Sequence, residues 1–464
     1  MAHTKEVHVL MVTLFYHGHI NPMVHFAKLL ASKGLHVTLA TTNHAREKIL
    51  NGLATRTNFI DYEFFDDGLD IELDRDSKLA SLIEEYLPRD GAKNLSNLIS
   101  TLEEKGKKFA CIINNCFVPW VTNVATMHNI SCAMLWVQSC ATYAIFYHYH
   151  HNTQSYLASL NDPNYQANFD IPGLPLLNIE DLPTFILPSS PPHFLKVLMT
   201  TMNVLDQFQW IFGSSFCDLE ESLVHSMAQF KAIHPIGPLV SPSMLSVEGA
   251  QEDEQESDIC MDWLNKQGTS SVIYIALGSI SVLSQSETEA LAMALESDSN
   301  KRFLWVRKEG EKILGRKMGE LPKEFLENTK DRGLIVPWCC QEKVLTHPSI
   351  KCFLTHCGWN STLETITAGI PVIAYPDWTD QPTNAKLLVD VFKVGVRMSK
   401  SKDGQLGREE IERCLLEVTK GPKALAMKEQ AIKLKVLAKK ATMSGGSSNM
   451  NVDNFVNELS AKSV

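Results

Sequence analysis

The groups best placed to do chemistry in this 464-residue chain crowd into residues 338–381, WCCQEKVLTHPSIKCFLTHCGWNSTLETITAGIPVIAYPDWTDQ. An apolar strand, Lys351–Thr355, runs into His356-Cys357-Gly358-Trp359, and Asn360-Ser361 open a helix. A strand-to-helix turn with a glycine is an anion site, because the first N–H groups of a helix have no partners within it. His356 adds a donor there, and a cation when protonated. Glu364 stands four residues beyond Asn360, one turn along the same face, where a carboxylate accepts hydrogen bonds from ribose hydroxyls. Trp338, at the end of the preceding strand, offers a flat face to a base. Asp380-Gln381 begin a later helix with side chains that bind several hydroxyls. Base platform, ribose carboxylate, phosphate cradle and polyol binders together describe a nucleotide-sugar pocket.

A second candidate lies near the N-terminus. His19 follows the apolar run Val7–Phe15 and is expected on the loop before a helix, at the carboxyl end of the first strand. Open α/β sheets bind ligands at that end. Histidine suits a general base near neutral pH. His17 is a second histidine of the same loop.

The elements that must position these groups alternate along the chain. Strands are expected at Val7–Phe15, His36–Thr42, Asn58–Phe65, Ala110–Phe117, Ser131–Val137, Phe212–Cys217 and Ala232–Ile236. The first is a near-continuous apolar run, the type found in a parallel sheet covered on both faces. Asn21-Pro22 reads as a helix start, with Asn as N-cap and Gly34 ending the helix. A second series follows at Ser271–Ser279, Arg302–Arg307, Leu334–Trp338, Lys351–Thr355 and Pro371–Tyr375, with helices near 285–296, 360–368 and 384–392. Strands alternating with helices imply right-handed crossovers and doubly wound sheets. The fold class is therefore α/β, with two facing Rossmann-like lobes. Residues 1–238 form the first lobe, 239–258 a linker with an acidic run at Glu252–Glu256, and 259–445 the second. Residues 446–464 are a terminal helix, near 452–459, docking on the first lobe after the flexible Ser444-Gly445-Gly446-Ser447-Ser448. The proline-rich stretch 172–192 reads as a long surface loop.

Composition narrows the function. Hydrophobic residues make up 44% and charged residues 21%, the average for a globular chain, and the net charge is −10. Such a chain has no general electrostatic footprint for nucleic acid or anionic membrane. No run approaches the length of a transmembrane helix, and the N-terminal apolar run lacks a cleavage site, so a cytoplasmic protein is expected. The 11 cysteines are odd in number and lack CxxC spacing, which points to reduced thiols rather than disulfides or structural zinc. GxGxxG, the P-loop, HExxH and GxSxG are absent, which counts against a dinucleotide oxidoreductase, a P-loop ATPase, a zinc protease and a serine hydrolase. Asp74-Arg75-Asp76 is a metal-binding type of triplet in an acidic polar stretch and reads as a solvated loop. His148-Tyr149-His150-His151 reads as a helix terminus.

The 44-residue stretch resembles the UDP-sugar signature box of plant family-1 UDP-glycosyltransferases, the secondary-product glucosyltransferases. The match includes Trp338, Gln341, His347-Pro348, Thr355 to Ser361, Glu364, Gly369, Pro371, Pro376, Trp378 and Asp380-Gln381. It extends to Gly18-His19-Ile20-Asn21-Pro22, Gly278-Ser279 and Phe303-Leu304-Trp305-Val306. Cys340 departs from the proline common at that place. The resemblance implies a GT-B fold with UDP-glucose as co-substrate, no metal or other cofactor, and a monomer. It implies that Trp338 stacks on uracil and Cys339 contacts it through the backbone. Gln341 and Glu364 would hold ribose. His356, Asn360, Ser361 and Ser279 would bind the diphosphate, beside Gly18 of the opposite lobe. Trp359, Asp380 and Gln381 would bind the hexose, and a final Gln381 is typical of glucose donors.

The resemblance also implies that His19 is the general base. Many relatives pair it with an aspartate, and here the matching position is Asn115. An amide supplies no charge to the imidazolium, so the base is weaker and suits acceptors that ionise readily. The tautomer that Asn115 favours is left open by the sequence. This pattern, with Trp136-Val137-Gln138-Ser139, is similar to the branch that makes glucose esters of phenolic carboxylic acids, and to some C-glycosyltransferases acting on polyphenols such as flavonoids. His17, Phe117, Gln138 and the loops near Phe185 and Phe194 are expected to line an acceptor pocket for flat aromatic molecules. A UDP-sugar-binding pseudoenzyme is the non-catalytic alternative, motivated by the missing aspartate.

Overall fold

The computed structural model describes residues 6–49, 59–69, 78–161, 168–245, 258–278, 281–308, 312–313, 316–401 and 403–462. Two compact units emerge. One comprises Met1–Ile179, Phe185–Leu239 and Lys440–Val464, the other Glu180–Thr184 and Val240–Lys439. The acidic run and Asp74-Arg75-Asp76 lie outside the described residues.

The first unit is built on a seven-stranded sheet. Its strands are β1 (His8–Val12), β2 (His36–Thr42), β3 (Ile60–Phe65), β4 (Phe109–Asn115), β5 (Ser131–Trp136), β6 (Trp210–Gly213) and β7 (His234–Pro235). Their order is β3-β2-β1-β4-β5-β6-β7, and every pairing is parallel. The winding reverses between β1 and β4. Val9, Leu10, Met11 and Val12 are all fully buried, as a strand covered on both faces requires.

The second unit carries β8 (Val272–Ala276), β9 (Arg302–Val306), β12 (Gly333–Val336), β13 (Ile350–Thr355), β14 (Val372–Ala374) and β15 (Gly395–Arg397), with a short hairpin of β10 (Lys312–Ile313) and β11 (Arg316–Lys317). Its six strands run β12-β9-β8-β13-β14-β15, again all parallel, and the reversal falls between β8 and β13. Helix Gln285–Glu296 covers one face, its start fixed by a reciprocal cap between Ser284 and Glu287.

Several expectations need correction. The first helix spans His17–Ser32 and is capped by Tyr16, so Asn21 is not its N-cap and Pro22 sits inside it. Pro22 is the sixth residue of the helix, past the first turn whose N–H groups lack partners, so it forgoes one internal hydrogen bond and does not mark the helix start. His19 thus belongs to a helix, not a loop. The proline-rich stretch is not simply surface. Asp181, Leu182, Phe185 and Ile186 are buried, in short turns at Ile179–Asp181 and Thr184–Ile186. Short strand β15 and the helices Arg408–Thr419 and Ala424–Thr442 were not anticipated.

The terminal helix covers Ser447–Lys462, longer than 452–459, and the expected flexible spacer supplies its first turn. There Ser448 is buried and donates to the Gly237 carbonyl at 2.6 Å. Asn451 donates to the Pro235 carbonyl at 2.7 Å. Phe455, fully buried, meets the rings of Trp210 and Phe212 edge-on at 5.8 and 5.0 Å. Truncating such a ring leaves a cavity that costs about 3–5 kcal/mol. Phe455→Ala should lower unfolding stability by that amount in a denaturant titration, and a loss below about 1 kcal/mol would mean that the helix adds little to this core.

Candidate active site

In the first unit the candidate groups gather where the winding reverses. His19 lies in the first turn of the helix that follows β1, and Asn115 is the last residue of β4. The two strands are neighbours, and a reversal of this kind opens a crevice at their carboxyl ends. His19 Nδ1 is 3.2 Å from Asn115 Oδ1. The same oxygen accepts the Phe117 backbone N–H at 2.9 Å. A backbone N–H can only donate, so it fixes which end of the Asn115 amide faces the histidine. His19 must then carry its proton on Nδ1, and Nε2 keeps a lone pair. Phe117 stands edge-on to the imidazole, with centroids 4.8 Å apart. Burial pulls the His19 pKa down to about 4, against the opposing effect of the Asn115 bond. The positive end of a helix favours the neutral ring too. His19 is therefore a neutral imidazole with one nitrogen anchored and the other able to accept a proton.

His17 is the first residue of the same helix and is exposed. Gln138, just beyond β5, is buried, and its Oε1 has no hydrogen-bond partner among the described residues. Phe185 and Phe194 stack on each other at 4.7 Å. His148, His150 and His151 form the last turn of helix Cys140–His151.

The second unit repeats the arrangement at its own reversal. Gly278 follows β8 and His356 follows β13. The imidazole of His356 fits between two glycines. A Cβ on Gly278 would stand 2.6 Å from its Nε2, and one on Gly358 2.5 Å. Gly278 also has φ +76°, a conformation side chains disfavour. Burial takes His356 down to about 4, with Asp377 opposing, so it is neutral rather than the cation considered from sequence. Its Nδ1 is buried without a partner among the described residues. Gly358 caps helix Trp359–Ala368, whose N-terminus is the positive end of the helix dipole and so favours an anion. The Trp359 indole is buried, which leaves its backbone as the part able to face a ligand. Asn360 is half-buried. Ser279 lies outside the described residues.

Trp338 is 69% exposed, beyond the end of β12, which is unusual for a tryptophan and suits a platform for a base. Beside it a polar network locks the expected ribose groups. Gln341 donates from Nε2 to Ser361 Oγ at 2.8 Å and to Glu364 Oε2 at 2.5 Å. Its Oε1 accepts from the Tyr274 hydroxyl at 3.1 Å, and that hydroxyl also lies 3.3 Å from Cys339 Sγ. Tyr274, in the middle of β8, was missed. A tyrosine inside an otherwise apolar buried strand is a signal for it, since its hydroxyl must find a partner.

The sugar-binding candidates are held by a segment that sequence reasoning placed on the surface. Thr379, immediately before Asp380-Gln381, has φ +61°, strained for a β-branched residue. Thr184 clamps it from both sides: its N–H donates to the Thr379 carbonyl at 2.8 Å, and its hydroxyl accepts the Thr379 N–H at 2.9 Å. Asp181 anchors this strap through Arg397 at 2.7 Å and Lys386 at 3.3 Å. Asp380 is buried and accepts from Thr379 and from Asn384, each at 2.7 Å. Gln381 Oε1 accepts the N–H groups of Asp377 and Trp378 at 2.9 and 3.1 Å. Its amide nitrogen is left as the group able to meet a hydroxyl.

Comparison with known proteins decides the family. The family model for UDP-glucoronosyl and UDP-glucosyl transferases matches residues 221–444. UDP-glycosyltransferase 84B1 of Arabidopsis thaliana is 44% identical, over 98% of either chain. The chain belongs to the UDP-glycosyltransferases. Gallate 1-beta-glucosyltransferase 84A24 of Punica granatum is 38% identical, over all of this chain and 91% of its own. The crystal structure of Os79 from O. sativa in complex with UDP superposes with a TM-score of 0.84 at 29% identity, covering 97% of this chain and all of that one. The glycosyltransferase is thus a hexosyltransferase of GT-B fold. Among its described residues no helix is long and apolar enough to cross a membrane.

The glycosyltransferase carries one more electrostatic feature. Burial raises Glu364 to about 8, helped by the charge of Glu342 and opposed by the Gln341 bond. The folded chain then holds this proton more tightly than the unfolded chain between pH 4.5, the ordinary value, and about 8. Stability falls as pH rises through that window. Glu364→Gln cannot ionise. Its melting temperature should equal the parent's or differ by a constant near pH ~4, and the gap should grow in its favour toward pH ~9. A gap independent of pH in calorimetry would refute the raised value.

Proposed function

We propose that the enzyme is an inverting glucosyltransferase that moves glucose from UDP-glucose to a phenolic or carboxylic plant metabolite, with a phenolic carboxylic acid as the acceptor class and a glucose ester as the product. The observation that carries this reading is His19, a neutral imidazole held by an amide instead of a carboxylate. Transfer requires an acceptor oxygen to attack C1 of glucose while the bond from C1 to the UDP oxygen breaks and that oxygen keeps the electron pair. Attack from the face opposite UDP inverts C1. Where the acceptor still carries a proton, Nε2 of His19 takes it. The resulting imidazolium would lie beside a neutral amide, which stabilises it less than a carboxylate does. A carboxylate acceptor arrives already ionised and needs no base. An acidic phenol needs little. The gallate glucosyltransferase among the relatives supports the same acceptor class.

In this reading the leaving diphosphate is met by the positive N-terminal end of helix Trp359–Ala368 and by His356. These donors supply the stabilisation that a metal would otherwise give, so the transfer is metal-independent and uses no further cofactor. Trp338 would stack on uracil, Gln341 and Glu364 hold ribose, and Asp380 and Gln381 hold the hexose. His17, Phe117 and Gln138 would shape the acceptor site. That no disulfide joins the 11 cysteines supports work in the reducing cytosol.

Paired acceptors test the linkage. With UDP-glucose and matched carboxylate and phenol substrates, the preferred product should release glucose in mild alkali, as an ester does. An alkali-stable main product would point to a phenolic or carbon linkage instead. His19→Ala should cut transfer to phenols by more than about 100-fold, cut transfer to carboxylates less, and leave UDP affinity unchanged. Near-normal turnover of phenols would remove His19 as the base.

Asn115 gives a prediction in pH. A carboxylate there favours the imidazolium and raises the His19 pKa by about 1–3 units. The acidic limb of kcat/KM for a phenol acceptor should therefore move up from about pH 4 in Asn115→Asp. Turnover of weakly acidic phenols should rise above the limb. An unmoved limb would show that the amide does not set the base.

A further inference from the structure

The opposite end of the first sheet carries a cluster that transfer does not use. His8 opens β1 and His36 opens β2, and the two are register partners in parallel strands. Partners of that kind project their side chains to the same face, and Glu6, two residues before His8, shares the alternation. The contacts agree. Glu6 Oε2 lies 3.7 Å from Nε2 of His8 and 3.7 Å from Nε2 of His36. One ligand atom from each residue falls within 4.8 Å of the other two, the one such trio among the described residues.

We propose that Glu6, His8 and His36 bind one divalent zinc ion. Four ligands at 2.0–2.1 Å in a tetrahedron stand about 3.3 Å apart, so the two measured distances need to close by only a few tenths of an ångström. Two imidazoles and one carboxylate are the donor set that borderline metals such as zinc take, whereas magnesium and calcium prefer oxygen alone. Three protein ligands leave a fourth position for water. The imidazoles stack at 4.9 Å, so they must turn toward each other to converge on the ion, and His36 also packs on Phe59 at 5.0 Å. Lys107 faces His8 but is itself paired with Asp61 at 2.7 Å, so its charge does little to repel a cation. Glu6 is well exposed, which gives the ion a way in.

The ion would tie the starts of β1 and β2 together. The five residues of β1 place the site about 13 Å of strand away from the end that leads to His19. Zinc here braces the sheet and takes no part in transfer, so the site is compatible with metal-independent chemistry and can be tested apart from it.

Calorimetric titration of the tag-free, metal-stripped full-length enzyme with zinc chloride should show one ion per chain. Glu6→Gln and His36→Gln should each weaken binding by more than about tenfold. Zinc should raise the melting temperature of the parent and not of the variants, since only the folded site binds. Glucosyl transfer should be unchanged in both variants. Cobalt(II) in place of zinc should give ligand-field bands with no thiolate charge-transfer band, which separates this trio from the cysteines. Parental affinity in His36→Gln, absence of binding to the parent, or a thiolate band would each overturn the proposal.

Discussion

The Phe117 backbone N–H settles the chemistry of the first unit. By occupying Asn115 Oδ1 it stops the amide from turning over. The orientation of that amide dictates the tautomer of His19, and the tautomer dictates which nitrogen stands free. A carboxylate at residue 115 would accept from both donors whichever oxygen faced which. An amide has only one accepting end, so orientation carries information that charge would otherwise supply. The turn after β4 therefore helps to set the protonation of His19. Asn114 braces it by donating to the Val118 carbonyl at 3.1 Å.

Both units solve their positioning problem in the same way. Each sheet reverses its winding once, and each candidate histidine stands at that reversal. The crevice follows from topology, not from any one residue. What differs is the local packing. His19 is held by a hydrogen bond, whereas His356 is held by the absence of side chains at Gly278 and Gly358. The first arrangement prepares a proton acceptor. The second brings an imidazole against backbone at a helix start, with Nδ1 left without a partner among the described residues.

Much of this was legible in the sequence. The strands with continuous apolar runs and the helices with clear periodicity stand near their expected places, because burial on both faces leaves a pattern that does not depend on distant contacts. The candidate residues of 338–381 could be named together because they are local in the chain, and Trp338 among them is exposed. Two of the misses depend on residues far apart. Tyr274 meets Gln341, 67 positions away, and Thr184 meets Thr379, 195 positions away. The extra turn at the start of the first helix left no mark because Tyr16 caps it without a side-chain hydrogen bond. Strand β15 has three residues, too few for a period to show.

The strap Glu180–Thr184 has an evolutionary side. The chain leaves the first unit at Ile179, lends five residues to the second, and returns at Phe185. The neighbouring loops are where diversification of small-molecule preference would be cheapest, since insertions there disturb little of either sheet. Yet Thr184 and Asp181 keep a strained turn of the second unit in shape. Grafting this region wholesale between relatives would therefore disturb the turn at Thr379 as well, and chimeras that retain these two anchors are the ones that keep it.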